Sequence, residues 1–358
     1  ARSAPPTRRT SPTSLAPEPR MIHSPYVRKA VSVQRTMGLV LLALIPGIVA
    51  HALLIGPGVL VNLAISTITA VSAEALMLHL RKRPVAIAVG DLSAVVTAWL
   101  VTLCFPPIVP WWLTVCGALV AIVAVKHLYG GLGQNPFNPA MIAYCSMIVA
   151  FPALMSQWPP AGQLSFDTQL ALILGGARDI DGITGATALD ALRTGLRSGT
   201  QTVDAVLQGS AFGALGGRGW EWISVGYVAG GLFLLAKRII TWHMPLAFIG
   251  VLAGISTLFW LLDPGRFASP LFHLASGGAM LAAFFIVTDP VSGATTPRGK
   301  LLFAGGIALI AWLIRNFGAY PEGIAFGVLL MNMCVPLLDM KTQPPVFGHH
   351  KDAKGGGK

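Results

Sequence analysis

Charge is what this sequence has least of: Asp, Glu, Lys and Arg together make 11% of 358 residues, against roughly a quarter in soluble domains. With hydrophobic residues at 54% and a mean hydropathy of +0.68, that scarcity excludes a soluble enzyme. Cysteine is nearly absent as well. The four present, Cys104, Cys116, Cys145 and Cys334, lie in apolar stretches with no CxxC spacing, which excludes a disulfide framework and a cysteine-ligated cluster. A glycine-rich nucleotide fingerprint is missing too, so redox chemistry here requires a bound cofactor and other proteins to handle soluble reductants. The eight histidines are scattered without a haem-like spacing.

What is there is a series of apolar runs near the roughly 20 residues that cross a bilayer as helix. They fall at 37–55, 59–80, 93–106, 111–129 and 139–156, and again at 220–236, 244–262, 269–288, 300–315 and 322–338. The reading is an all-α polytopic membrane protein of about ten transmembrane helices, arranged as two five-helix repeats. An odd number of spans per repeat makes the second copy inverted. The divisions follow: a basic arm (1–36), the first repeat (37–156), one long loop (157–219), the second repeat (220–338) and a tail (339–358). The Pro-, Ser- and Arg-rich arm has no apolar core of a cleavable signal, so the first span is expected to act as the insertion signal.

Lys and Arg set the orientation, because cytoplasmic loops retain positive charge. With both termini cytoplasmic, 19 of the 25 Lys and Arg fall inside, among them the run Arg81–Lys82–Arg83 and Lys126. Six fall outside (Arg178, Arg193, Arg197, Arg218, Arg266 and Arg315), beside eight acids. The net charge of +11 thus reflects topology and attraction to membrane lipid, with no call for nucleic acid.

The loop at 157–219 is the only one long enough to hold a site of its own. Within it runs Asp181-Gly182-Ile183-Thr184-Gly185-Ala186-Thr187-Ala188-Leu189-Asp190, and Leu189, Leu192 and Leu196 mark one face of a short helix. Thr187 with Asp190 three residues on reads as a capping box, each side chain satisfying an unpaired backbone amide. The same helix start, preceded by glycine, also suits a phosphate.

These residues resemble the flavinylation motif of the RnfD and NqrB family, Asp-Gly-x-(Ser/Thr)-Gly-Ala-Thr-x-Leu. Three other stretches resemble that family in the same order: His23-Ser24-Pro25-Tyr26, the segment from Gly130 to Ala140, and the segment from Thr288 to Lys300. The resemblance covers about residues 21–340, and the length and short arm fit the RnfD (RsxD) branch. It implies FMN esterified to Thr187 through its phosphate, with Asp181, Thr184, Gly185 and Ala186 completing the motif. Thr184 stands where the family most often has Ser and keeps the hydroxyl.

It also implies a second, noncovalent riboflavin near Asn135, Asn138, Asp289 and Thr295, and an ion path including Glu74 and Asp339. The partners implied are a flavin transferase acting outside the cytoplasm and the other Rnf subunits RnfA, RnfB, RnfC, RnfE and RnfG. The location implied is the bacterial inner membrane, with the 157–219 loop periplasmic. The expected function is an electron-transfer subunit that couples electron flow between NADH and ferredoxin to Na⁺ or H⁺ translocation.

Asp289 precedes Thr295 by six residues, as Asp181 precedes Thr187, and both stretches end in Gly-Ala-Thr. Charge places Thr295 inside, and Thr296-Pro297 follows it where the motif wants a small residue and Leu, so Thr187 is the expected site. Asn138 reads equally as a helix cap with Pro139 at the first helical position. Glu74, the one acid deep in a span, is costly enough to signal function, with Arg81 to Arg83 as its alternative partners.

The competing class is a flavin-free channel or small-solute transporter. Asn138-Pro139-Ala140 is similar to an aquaporin triplet, but the second half offers no matching one, since Asn332-Met333-Cys334-Val335-Pro336 departs from it. The family's fold is itself similar to urea transporters, which accounts for the echo. A purely structural assembly subunit would tolerate change at Thr187.

Overall fold

The computed structural model describes residues 32–175, 184–197, 199 and 201–343. Asp181, the 23–26 stretch and His349-His350 lie outside the described residues. The chain divides at Ser32, and everything below concerns the compact unit that begins at Val33.

The elements in order are α1 (Val33–Leu54), α2 (Gly58–Leu80), α3 (Val85–Val89), α4 (Ser93–Leu103) and α5 (Trp111–Leu119), which runs on as a π-helical turn, Val120–His127. Then come α6 (Pro139–Ala150), α7 (Pro152–Met155), α8 (Phe166–Leu174), α9 (Ala188–Arg197) and α10 (Val203–Leu207). The last are α11 (Trp220–Ala236), α12 (His243–Leu262), α13 (Pro270–Ala275), α14 (Ala279–Leu281) with a π-helical turn at Ala282–Ile286, α15 (Pro297–Phe317) and α16 (Ile324–Thr342). Among the described residues there is no strand, only two isolated bridges.

Five helices (α1, α2, α12, α15 and α16) are long and apolar enough to cross a membrane, and four shorter apolar helices accompany them: Ser93–Leu103, Trp111–His127, Pro139–Ala150 and Trp220–Ala236. Their outward faces carry bare aliphatic side chains, such as Leu53, Ile68, Leu76, Leu261 and Leu262. In water that much exposed apolar surface would be an aggregation liability, and in a bilayer it is the lipid-facing surface.

Several boundaries are written in local chemistry. Asn138-Pro139, Ser269-Pro270 and Thr296-Pro297 each place an oxygen-bearing cap before a proline, whose missing N–H costs nothing in the first turn. The Asn138 side chain accepts from the Ala140 and Met141 amides at 3.0 and 3.2 Å, and Thr296 Oγ1 accepts from Gly299 N at 3.0 Å. Two apolar runs, in contrast, are interrupted. One breaks at Gly90–Leu92, with Leu92 at φ +64, and the other at Ser276–Gly278, with Gly277 at φ +64. The run expected at 139–156 likewise ends at Ala150, because Pro152 starts a new turn.

α1 and α11 pack antiparallel through small residues. Gly47 lies under the Tyr227 ring, and a Cβ on Gly230 would stand 1.9 Å from the Ala43 carbonyl oxygen. Leucine at Gly230 is therefore expected to force the two helices apart, at the ~1–3 kcal/mol or more of overpacking. A clear fall in melting temperature of the detergent-solubilised protein checks it.

Between the two groups of long helices, α8 is tied down by Gln169, whose Oε1 accepts from Gly58 N at 2.8 Å. Farther on, Ala188, Leu189 and Leu192 of α9 pack with Val203, Val206, Phe212 and Phe272 in a small core of their own, which Leu196 joins in part. The leucine face read from the sequence is thus the buried face of α9.

Candidate functional site: two cavities and a buried ion pair

α9 begins at Thr187. Its Oγ1 accepts from the Asp190 amide at 3.3 Å, and a bridge between Gly185 N and the Trp158 carbonyl (3.0 Å) fixes the chain just before it. The expected capping box is only half made. The Asp190 carboxylate turns instead to Arg193, 2.9 Å away, because an arginine one turn on offers a charged donor where the cap amide offers a neutral one. Thr184 and Gly185 are half-buried, and Ala186 is exposed.

Thr187 opens onto a cavity of about 460 Å³. Its walls are mainly apolar and aromatic: Tyr144, Trp158, Trp220, Tyr227 and Tyr320, with Met141 and Leu281 deeper in. Trp158 and Trp220 meet edge to face at 5.3 Å between ring centroids. Polar groups are few, namely Thr187, Asp190, Arg193 and Glu322. Arg193 also donates to the Ala319 carbonyl, yet its buried Nε has no partner. A flat aromatic-lined space, a hydroxyl at its lip on a helix N-terminus and an unspent guanidinium N–H beside it together suit a ring system carrying a phosphate.

A second cavity, about 160 Å³, lies toward the opposite end of the antiparallel α1/α11 pair, between Met37 of α1 and Leu234 of α11. It brings together Asn135, Asn138 and Asp289, as the sequence anticipated, and adds Ser93, Lys126 and Thr288. Asn138 serves as the cap of α6 and also donates to the Ile286 carbonyl (3.4 Å), and Asn135 Nδ2 donates to the Phe137 carbonyl (2.9 Å). Burial raises the Asp289 carboxyl above the usual carboxylate range, opposed by its bonds from Ser292 and Val291. The polar rim and narrow apolar depth suit an uncharged flavin held by one edge. The two cavities stand back to back. Ala140 and Phe285 line the second, Met141 and Tyr227 the first, and the Tyr227 and Phe285 rings meet at 6.0 Å.

Thr295 does not line this cavity. Its amide and hydroxyl donate to Asp339 at 2.9 and 2.8 Å, so the residue expected near riboflavin and the acid expected in the ion path hold each other. Thr295 also differs locally from Thr187, since the helix cap beside it is Thr296. Asn332 replaces any second aquaporin-like triplet: its Oδ1 accepts from Asn138 N at 3.1 Å and its Nδ2 donates to Ser292 O at 2.9 Å.

Glu74 is buried in α2, and its partner is Lys126 at 2.5 Å, not Arg81 to Arg83. Arg81 reaches the His127 carbonyl instead. Lys126, expected in a cytoplasmic loop, is 2% exposed, because the π-helical turn carries it into the bundle. Its ammonium also donates to Ser93 Oγ (2.7 Å), which in turn donates to Asp91. Arg315, counted outside, is equally buried: it donates to both Glu322 oxygens (3.1 and 2.7 Å) and to the His273 and Ser276 carbonyls (2.6 and 3.4 Å). The sequence hid Lys126, Arg193 and Arg315, since their partners lie across the fold or, for Arg193, compete with a cap. Their one signal was a cation at the edge of an apolar or short helical run. No group of three His, Cys, Asp or Glu among the described residues could hold a metal ion.

Comparison with known proteins adds an independent finding. The sequence profile of the NQR2, RnfD, RnfE family matches residues 20–348. The chain is 47% identical over 348 residues to the RnfD subunit of the ion-translocating oxidoreductase complex of Yersinia enterocolitica, covering 92% of this chain and 99% of that one. It is 46% identical to the proteins of the same name from Erwinia tasmaniensis (93% and 99% covered) and Vibrio vulnificus (91% and 98% covered).

Proposed function

Because this chain belongs to the NQR2, RnfD, RnfE family, we propose that it is the membrane electron-carrying subunit of an Rnf-type ion-translocating oxidoreductase complex, active only within that complex. FMN is carried as a phosphoester on Thr187 and riboflavin noncovalently in the second cavity. The observation that carries this reading is the Thr187 hydroxyl at the lip of the aromatic cavity, beside the unpartnered Nε of Arg193.

Flavins supply one-electron chemistry, and the chain supplies position and electrostatics. The α9 N-terminus and Arg193 favour the phosphate, the Trp and Tyr walls exclude water from a ring, and Asn135 and Asp289 orient the second ring's edge. The motif members Asp181, Thr184, Gly185 and Ala186 shape the segment read by the flavin transferase. Asp339 and Glu74 serve the ion path, and RnfA, RnfB, RnfC, RnfE and RnfG bring electrons from NADH or ferredoxin.

In the bacterial inner membrane the ten spans form two inverted five-helix halves. What supports this is the recurring order. Each half has two helices, a broken third span, a fourth ending in a buried cation and a fifth, and α1 packs on α11 as α6 packs on α16 across the halves. Removing Lys126 and Arg315 from the charge count takes one from each side, so the termini stay cytoplasmic and the Thr187 loop periplasmic.

Flavin content tests the reading. Denaturing precipitation of the purified complex should leave one flavin on this chain and release another, and release of all flavin would refute the ester. Arg193→Gln should lower the Thr187-bound fraction several-fold in cells with limiting transferase, with the cap intact. An unchanged fraction would remove Arg193 from the phosphate site.

A further inference from the structure

In each group of long helices a buried cation reaches the break in another span, but the two are built differently. Arg315 is fully committed: two bonds to Glu322 and two to the carbonyls that the break after α13 leaves exposed. Glu322 is anchored in turn by the Gly323 and Ile324 amides. The Lys126 arrangement is loose. Its ammonium bonds one oxygen of Glu74 and the hydroxyl of Ser93, while Glu74 Oε2 and both ring nitrogens of His127, all buried, have no partner. Unpaired buried polar atoms are expensive, and they persist where a site must change partners.

Lys126 and Ser93 also line the second cavity, and Glu74 does not. The lysine is therefore the one group that touches both the cavity and the buried acid. Lysine has a compact charge on a flexible four-carbon stem, unlike the planar fork of Arg315, so it can swing between two acceptors.

We propose that Lys126 is a charge-sensitive latch between the second cavity and Glu74. This rests on the reading that the cavity holds a noncovalent flavin. While that flavin is oxidised and uncharged, the ammonium holds Glu74. When an electron from a reduced flavin or iron–sulfur carrier adds one negative charge in the cavity, Lys126 turns to it. The Glu74 carboxylate is left uncompensated and takes up one monovalent cation, a proton or Na⁺, so the charge of the pocket balances. Passing the electron on to the next flavin returns Lys126 to Glu74 and expels the cation. The other charged and titratable groups facing Glu74 are His127 on the same π-helical turn, at 3.8 Å, Asp91 at the break before α4, and Arg81 just past the end of α2. Because a ligand or charge shifts an equilibrium only by its differential interaction with the two states, the latch must show itself in the potential of the flavin.

The test is a redox titration of the noncovalent flavin in the purified complex, at several pH values and Na⁺ concentrations, for wild type, Glu74→Gln and the double variant Lys126→Met with Glu74→Gln. The double variant leaves no lone buried charge and so separates function from misfolding. In wild type the midpoint should rise with proton or with Na⁺ concentration, and which of the two acts identifies the cation. Glu74→Gln should keep the flavin and lose that dependence. The double variant should keep the flavin at a potential more negative than Glu74→Gln, since the compensating cation is gone. A Glu74→Gln dependence equal to wild type, or a double variant at the Glu74→Gln potential, overturns the latch. A wild-type complex with no noncovalent flavin on this chain overturns the cavity reading itself, and the latch with it.

Discussion

Replacing Thr187 with valine is expected to remove covalent flavin from the chain completely and to stop electron transfer through the assembled complex. Valine keeps the shape and deletes the single atom through which a phosphoester is made. The cost to the fold is modest by comparison: the cap bond from the Asp190 amide is lost, worth about 0.5–2 kcal/mol. The α9 helix keeps its own packing of Leu189 and Leu192 against Val203 and Phe272. Thr187→Ser restores the oxygen and should restore the flavin. Denaturing gels read for flavin fluorescence, alongside turnover of reconstituted complex, check both variants. Fluorescent valine variant of normal intensity would mean the attachment point is elsewhere.

The second large effect is structural. Arg315→Met should be among the most destabilising single changes in the chain. The guanidinium is almost wholly buried and satisfies the Glu322 carboxylate and two backbone carbonyls at once. Those carbonyls exist because the span breaks at Ser276–Gly278, and without Arg315 they face one another in a dry interior. Breaking a buried pair by removing one partner costs about 3–5 kcal/mol. Glu322→Gln should cost less, since that side chain is 18% exposed and an amide oxygen can still accept from the Gly323 and Ile324 amides. Thermal loss of the monodisperse peak on size exclusion measures the difference, and an Arg315→Met protein that melts with wild type would refute the assignment. Because Gly277, Gly278 and Glu322 also wall the first cavity, the same variant should hold its flavin ring less tightly.

The sequence made some of this legible and concealed the rest, for identifiable physical reasons. Apolar run length exposed the membrane class, and the cap at Asn138-Pro139 and the leucine face of α9 were readable because they are local: a cap or a helical face is decided by residues three or four apart. The motif around Thr187 was readable as chemistry for the same reason. The breaks inside the third and eighth apolar runs were not, since Gly90-Asp91-Leu92 and Ser276-Gly277-Gly278 sit in hydropathy that continues on both sides. Nor could charge counting distinguish Lys126 and Arg315 from loop cations. Lys126 meets Glu74 across 52 positions, Arg315 meets His273 across 42, and burial of a charge is settled only when such a partner arrives. The pairing of Thr295 with Asp339, 44 positions apart, was hidden in the same way. Arg193 was missed for a subtler reason, because Asp190 had two local partners and the sequence cannot rank a cap amide against a guanidinium.

The central claim is that Thr187 is where this chain carries its flavin, and peptide mass mapping of the protein purified from cells that contain the flavin transferase tests it most directly. The predicted result is an FMN-sized mass increment on the peptide containing Thr187, with fragment ions that place it on that residue. An increment on the Thr295 peptide, or an unmodified Thr187 peptide from cells whose transferase is demonstrably active, would contradict it.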